Sequence, residues 1–261
     1  MSTKVRPLRV VISGASSGIG LALARHYLER GENVAAFARR VELLKQLADD
    51  YPGQVSCYPI DVRDSLAVQG AIQDFISRIG VPEIVIANAG VSIGTLTEFD
   101  DDIESFQQVF DTNVLGMVKL FQPVIAAMRA TGQGTLVGIA SVAGFRGLPG
   151  AGAYSASKAA AISYLESLRV ELHSCGIKVV TICPGYIRTP MTAENPYPMP
   201  FILDVDIAAA RMIQVIDRQK VFAVIPWQMG FAGYALKMLP RWLYDRIFAK
   251  APHKPRRSGL M

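Results

Sequence analysis

Short apolar runs alternate with longer stretches of helical periodicity along the whole chain. Residues 8–13, 33–37, 55–59, 84–87, 135–140, 178–183 and 221–225 read as strands. Residues 18–30, 41–49, 65–79, 101–128, 153–173 and 206–219 read as helices, the fourth with an expected bend near Pro123. Strands separated by helices pair in parallel and carry helices on both faces, an α/β architecture. Each crossover is expected to be right-handed. Such a sheet of about seven strands binds ligands at the carboxyl ends of its strands, where strand order reverses. No repeat, low-complexity block or linker divides the chain, so residues 1–261 are expected to form one domain.

Composition supports that picture. The chain has 261 residues, 51% hydrophobic and 19% charged, which excludes a disordered polypeptide. Cys57, Cys175 and Cys183 are widely spaced and form no CxxC pair, so reduced, buried or half-buried thiols are expected. No metal site is expected. The start of the chain is interrupted by Lys4, Arg6 and Arg9, unlike a signal peptide. The longest uncharged run, residues 221–236, contains Pro226, Gln228 and Gly230. It is shorter than the ~20 residues of a spanning helix. A cytoplasmic protein is therefore expected. The net charge of +5 fits nucleic acid, an anionic membrane or a phosphate-bearing ligand, but no nucleic-acid motif accompanies it.

Candidate chemistry begins after the first strand. Ser13-Gly14-Ala15-Ser16-Ser17-Gly18-Ile19-Gly20 joins a strand to a helix. Glycines permit close backbone approach, and a helix N-terminus favours a pyrophosphate. The end of the second strand lacks the carboxylate expected of a site for NAD(H) and has Arg39 and Arg40 instead. A guanidinium can fork onto a 2′-phosphate, so NADP(H) is favoured over NAD(H), although both arginines could be merely solvated. Tyr154 and Lys158, four apart near a helix start, share a face. A nearby cation lowers the pKa of a phenol. Ser141 follows the fifth strand, at the edge where active sites collect.

These residues together resemble the short-chain dehydrogenase/reductase family, over about residues 10–225. The resemblance rests on residues 14–20, Asp61-Val62, Asn88-Ala89-Gly90, Asn113, Ser141, Tyr154, Lys158, and Pro184-Gly185 followed by Thr189. Ser13 stands for the family's usual threonine, and Ala87 for a common first asparagine. The resemblance implies a Rossmann-type doubly wound sheet, a small hydrophobic ketone or secondary alcohol as substrate, and a homodimer or homotetramer. It implies Tyr154 as general acid in reduction and base in oxidation. It implies Lys158 on the nicotinamide ribose, lowering the tyrosine pKa, and Ser141 on the carbonyl oxygen. Asn113 would hold a water in a proton relay, or could merely bridge helix backbone. Asp61 and Val62 would flank the adenine; Asn88, Ala89 and Gly90 would line the cleft. Pro184, Gly185, Ile187 and Thr189 would close over the cofactor. The alternative is a non-catalytic NADP-binding sensor or scaffold.

Two segments bear on the substrate. Residues 190–205 are expected to form a lid, stiffened by Pro196, Pro198 and Pro200 around Glu194, Tyr197, Met199 and Phe201. Leu148, Tyr186 and Met191 are candidate pocket walls. Residues 227–261 read as an apolar helical extension, with Pro240 starting a second helix. Lys237, Arg241 and Asp245 are spaced as one polar stripe, and Lys250, Lys254, Arg256 and Arg257 form a basic tail. This segment could cover the pocket, pack between subunits, or make peripheral membrane contact.

Overall fold

The structure, a computed structural model, describes residues 6–193 and 195–256. Lys4, Glu194 and Arg257 lie outside the described residues. The strands are β1 (Arg9–Ser13), β2 (Asn33–Phe37), β3 (Val55–Tyr58), β4 (Ile84–Ala87), β5 (Gly134–Ile139), β6 (Ile177–Pro184), β7 (Ile187–Arg188), β8 (Leu203–Asp204) and β9 (Phe222–Ile225). The helices are α1 (Gly18–Glu29), α2 (Val41–Asp50), α3 (Ser65–Arg78), α4 (Asp102–Phe110), α5 (Gly116–Thr131), α6 (Gly152–Glu171), α7 (Pro190–Ala193), α8 (Val205–Asp217), α9 (Trp227–Met238) and α10 (Arg241–Phe248).

Seven strands form one sheet in the order β3-β2-β1-β4-β5-β6-β9, with every pairing parallel. This is the Rossmann-type α/β fold. Successive strand residues point to opposite faces. Val10 and Ile12 enter a core with Leu23, Tyr27 and Ile213, while Val11 enters another with Phe75, Phe121 and Leu165. Both faces are covered, which explains strands that are apolar throughout. The order reverses between β1 and β4, whose carboxyl ends carry the Gly-rich loop and residues 88–90. Ser13 ties these ends together: its Oγ accepts from Asn88 N and Ala89 N, each at 3.1 Å. The hydroxyl retained at position 13 therefore has work to do. Ala87 is buried in β4, and the neighbouring Asn88 supplies the cross-link, Nδ2 to Ser13 O at 3.0 Å.

The fourth expected helix departs from expectation. It runs from Asp102 to Thr131, but a π-helical turn at Asp111–Leu115 interrupts it, and Pro123 lies within regular α5. By length and composition this helix could cross a membrane. Here Leu120, Phe121, Val124 and Met128 pack it onto the sheet.

One further correction and two additions concern the C-terminal third. Within residues 190–205, β8 pairs with β7, and Leu203 N donates to Tyr186 O at 3.0 Å. Such two-residue strands leave no periodic signal. Lys237 lies on α9, whereas Arg241 and Asp245 lie on α10 beyond the break at Leu239-Pro240, so they form no continuous stripe. The tail also folds back onto the body. Lys254 Nζ donates to Ser92 Oγ at 2.9 Å, and Gly94 N donates to Pro255 O at 3.2 Å. Arg256 Nε donates to Asp102 Oδ2 at 2.8 Å, with the guanidinium 3.5 Å from the Phe99 ring centroid. Ion pairing and ring stacking hold Arg256 of the basic tail against the body.

Candidate active site

A cleft of about 290 Å³ opens at the carboxyl edge of the sheet. At one end lies the Gly-rich loop. Gly14 and Gly18 have φ of +70° and +54°, in the left-handed region. A Cβ on Gly14 would lie 2.8 Å from Asn88 Nδ2, so the loop and the β4 end meet at a distance only glycine allows. Gly20 does not line the cleft. It lies behind the loop, where a Cβ would come 2.2 Å from Gly14 O. Ser16, Ser17, Gly18 and Ile19 do face the cleft.

The two arginines differ. Arg40 reaches over the loop: its Nη2 donates to Ser16 Oγ at 2.9 Å and Ser17 Oγ at 2.5 Å. Arg39 is mostly exposed, with Nη1 3.9 Å from Asp61 Oδ2. Burial works against the Asp61 charge, but hydrogen bonds from the Arg63 side chain and backbone outweigh it and hold the carboxyl below its usual range. Asp61, Val62, Asn88, Ala89 and Gly90 all lie on the cleft wall, as do Pro184, Gly185, Ile187 and Thr189. The fit to a dinucleotide rests on these features: a glycine cradle at a helix start, and a guanidinium paired with two hydroxyls beside it.

At the other end Ser141, Tyr154 and Lys158 converge. Ser141 caps a 3-10 turn, Val142–Gly144, by accepting from Ala143 N at 3.1 Å. That turn lies against α6 because Gly144 has no side chain: a Cβ there would come 2.7 Å from the Lys158 carbonyl carbon. Tyr154 and Lys158 stand one turn apart on α6, with the ammonium 5.7 Å from the phenol ring centroid. Burial pushes the Tyr154 phenol above its ordinary value, and a hydrogen bond with Ser141 works in the other direction. Lys158 is buried beside the phenol on the same helix. Its Nζ donates to Ile139 O at 2.9 Å, and burial brings its own pKa down to about 8.

Asn113 stands behind this group, in the π turn, and not on the cleft wall. Its Nδ2 donates to Val91 O at 2.9 Å and Ser157 Oγ at 3.0 Å, and its Oδ1 accepts from Val91 N at 2.8 Å. It ties the loop backbone at Val91 to the Ser157 side chain of α6. A Cβ on Gly90 would meet Asn113 Oδ1 at 3.2 Å and Lys158 Nζ at 3.6 Å, so only glycine leaves the space between those polar groups open.

On the substrate side Met191 lines the cleft, whereas Leu148 and Tyr186 do not. Tyr186 packs against Tyr197, their centroids 6.4 Å apart. Burial pushes the Tyr197 phenol above its ordinary value, with smaller contributions from Tyr186 and Tyr154. Sequence reasoning missed Thr112 and Thr192 on the wall. Thr192 follows Thr189 by three, the spacing of a helical turn, and that was the available signal. Among the described residues no His, Cys, Asp and Glu cluster could hold a metal ion.

A family model described as short chain dehydrogenase matches residues 9–198. The chain belongs to the short chain dehydrogenase family. An uncharacterized oxidoreductase of Myxococcus xanthus is 37% identical, over 90% of this chain and 94% of that protein. A 3-ketodihydrosphingosine reductase of Bacteroides thetaiotaomicron is 31% identical, over 87% and 82% respectively. A serine dehydrogenase solved in closed form with NADP+ is 26% identical, with a TM-score of 0.75, over 80% of this chain and 88% of that one. Short chain dehydrogenases are oxidoreductases of CH–OH and carbonyl groups that use a nicotinamide cofactor.

Proposed function

We propose that this short chain dehydrogenase is an NADP(H)-dependent carbonyl reductase, reversible as an alcohol dehydrogenase, acting on a hydrophobic ketone or secondary alcohol. One observation carries the reading: a single cleft has Arg40 on two loop hydroxyls at one end and Ser141, Tyr154 and Lys158 at the other. Arg40, Ser16 and Ser17 would hold the 2′-phosphate, with Arg39 beside them. Gly14, Gly18, Ile19 and Thr189 would surround the pyrophosphate, and Asp61 and Val62 the adenine. Asn88, Ala89, Gly90, Pro184, Gly185 and Ile187 would line the remaining cofactor path. The nicotinamide, when bound, supplies or accepts the hydride.

The protein's part is orientation and proton transfer. In reduction, the Tyr154 hydroxyl gives its proton to the carbonyl oxygen as the carbonyl carbon is reduced. Ser141 Oγ donates to the same oxygen and stabilises its developing charge. Lys158, charged below about pH 8, would hold the ribose hydroxyls of the bound cofactor. Met191 on the cleft wall gives the substrate end an apolar side chain. The similarity to a 3-ketodihydrosphingosine reductase supports a hydrophobic ketone, and that to a serine dehydrogenase bound to NADP+ supports the phosphorylated cofactor. Residues 1–261 act as one homo-oligomeric catalytic domain, with 190–205 bordering the substrate.

The test is NADPH oxidation with medium-chain, aromatic and steroid ketones, by wild type and Tyr154→Phe. The variant is expected to bind NADPH and lose turnover. Unchanged turnover would remove Tyr154 from the catalytic role, and NADPH binding by wild type with no turnover of any ketone would leave the non-catalytic sensor as the reading.

A further inference from the structure

Helix α9 turns its large side chains the wrong way for a helix buried in its own protein. Its inward positions include Gly230 and Gly233. A Cβ on Gly233 would lie 2.5 Å from the Phe145 ring, and one on Gly230 would lie 3.4 Å from Val224. Its outward positions are Trp227, Phe231, Tyr234 and Met238, spaced by four, three and four, so they share one face. Their exposures are 64%, 72%, 52% and 84%. Trp242 and Ile247 on α10 are also exposed. Helices of globular proteins normally bury such a stripe, and a large exposed one marks an interaction surface.

Charge selects the occupant. Lys237, Arg241 and Arg246 are exposed along the same two helices and Lys250 just beyond them, against Asp245 as the exposed acid. A two-fold contact with a second copy would set this patch, with its cations, against itself. Anionic headgroups would neutralise the cations while acyl chains cover the apolar stripe. Tryptophan and tyrosine also favour the membrane–water boundary.

We infer that the outer face of α9 and α10 docks this protein on an anionic lipid surface. The inner side of α9 packs on Phe145, four residues beyond Ser141, and through Met229 on Gly185 of the cleft wall. Docking therefore acts on the helix that backs the catalytic end. On the oxidoreductase reading above, that places the enzyme at the source of a lipid-soluble ketone.

The experiment is flotation of the full chain with vesicles of phosphatidylcholine plus phosphatidylglycerol, and with phosphatidylcholine alone. NADPH turnover of a water-soluble ketone is measured in parallel, so failure of docking and failure of the catalytic reading are separate results. Wild type is expected to float with the anionic vesicles and to be released at ~1 M salt, where screening shortens to about 3 Å. Phe231→Asp is expected to bind at least about tenfold more weakly, the value of one buried aromatic side chain, with turnover unchanged. If that variant does not fold, Lys237→Glu with Arg241→Glu reads the same surface through its charge. Absence of flotation, or flotation of the variants equal to wild type, would overturn the proposal. So would a variant that changes only the mass in solution, which would assign the face to a second copy.

Discussion

The Asn113 side chain grips the Val91 peptide from both sides, donating to its carbonyl at 2.9 Å and accepting from its N–H at 2.8 Å. Val91 follows directly on Gly90 of the cleft wall, so the π turn fixes the cofactor edge to α6 through Ser157. Asn113→Ala leaves two backbone groups and one hydroxyl short of a partner in a site 1% exposed. Each unsatisfied group costs about 1–3 kcal/mol. Thermal unfolding is expected to fall by at least about 5 °C, with kcat falling alongside. An unchanged melting temperature would separate Asn113 from the support of residues 88–91.

Arg40, more than Arg39, is placed to read a phosphate. Its guanidinium already spans the Ser16 and Ser17 hydroxyls, whereas Arg39 is directed toward Asp61. Charge-assisted hydrogen bonds are worth about 1.5–3 kcal/mol, or roughly 10–150-fold in affinity. Arg40→Ala is expected to weaken NADPH by that factor and NADH little, with a smaller effect for Arg39→Ala. Titration of both variants with both cofactors checks this. Equal loss for NADPH and NADH would remove Arg40 from phosphate recognition.

The sequence was most legible where local pattern and tertiary role coincide. Seven apolar runs became the seven strands of the sheet, the central ones buried on both faces, and Tyr154 and Lys158 share a face because helical spacing requires it. Contacts made by chain reversal were not legible. Arg256 meets Asp102, 154 residues away, and no periodicity encodes that. The π turn at Asp111–Leu115 escaped because five residues are too few to change the helical period of the segments on either side, and α5 continues through Pro123. Charge placed Arg39 and Arg40 near the phosphate end, yet only side-chain direction distinguishes them.

Gly144 sets how closely the Ser141 turn approaches α6. An added methyl would meet the Lys158 carbonyl carbon at 2.7 Å and the Ala159 nitrogen at 2.8 Å, both backbone atoms with little room to yield. Gly144→Ala therefore pushes Ser141 away from Tyr154. A displacement near 1 Å can cost about a hundredfold in rate, and overpacking costs about 1–3 kcal/mol. Steady-state kinetics should show a fall in kcat with NADPH binding largely retained. Wild-type kcat in Gly144→Ala would mean that the turn adjusts without moving Ser141.

The Asp102–Arg256 pair holds the tail against residues 94–102. Asp102 is 4% exposed, also accepts from Leu96 N at 2.6 Å, and is kept below the usual carboxylate range by the Arg256 hydrogen bond. A carboxylate with a depressed pKa stabilises the fold above its unfolded value, about pH 4. That contribution fades as pH falls through the folded value. Arg256→Ala is thus expected to melt below wild type at pH 7, with the gap closing toward pH 3. A gap independent of pH would mean that ring stacking on Phe99, not the ion pair, secures the tail.

Lys158 makes stability and activity move in opposite directions with pH. Burial brings its pKa to about 8, so the folded protein sheds this proton before the unfolded chain does. A lysine depressed in this way weakens the fold while charged. The penalty is full below about pH 8 and is relieved as pH rises toward the ordinary value near 10.4. Its proposed hold on the ribose hydroxyls needs the charge and is lost over the same window. The kcat/KM for NADPH, which reports the free enzyme, is expected to fall by about tenfold per unit above pH 8. Over that range the melting temperature of wild type should rise relative to Lys158→Met. The variant, already impaired, should lack that limb of the rate profile. A limb persisting in Lys158→Met would assign the titration to another group, and Tyr154 would then be the next to examine.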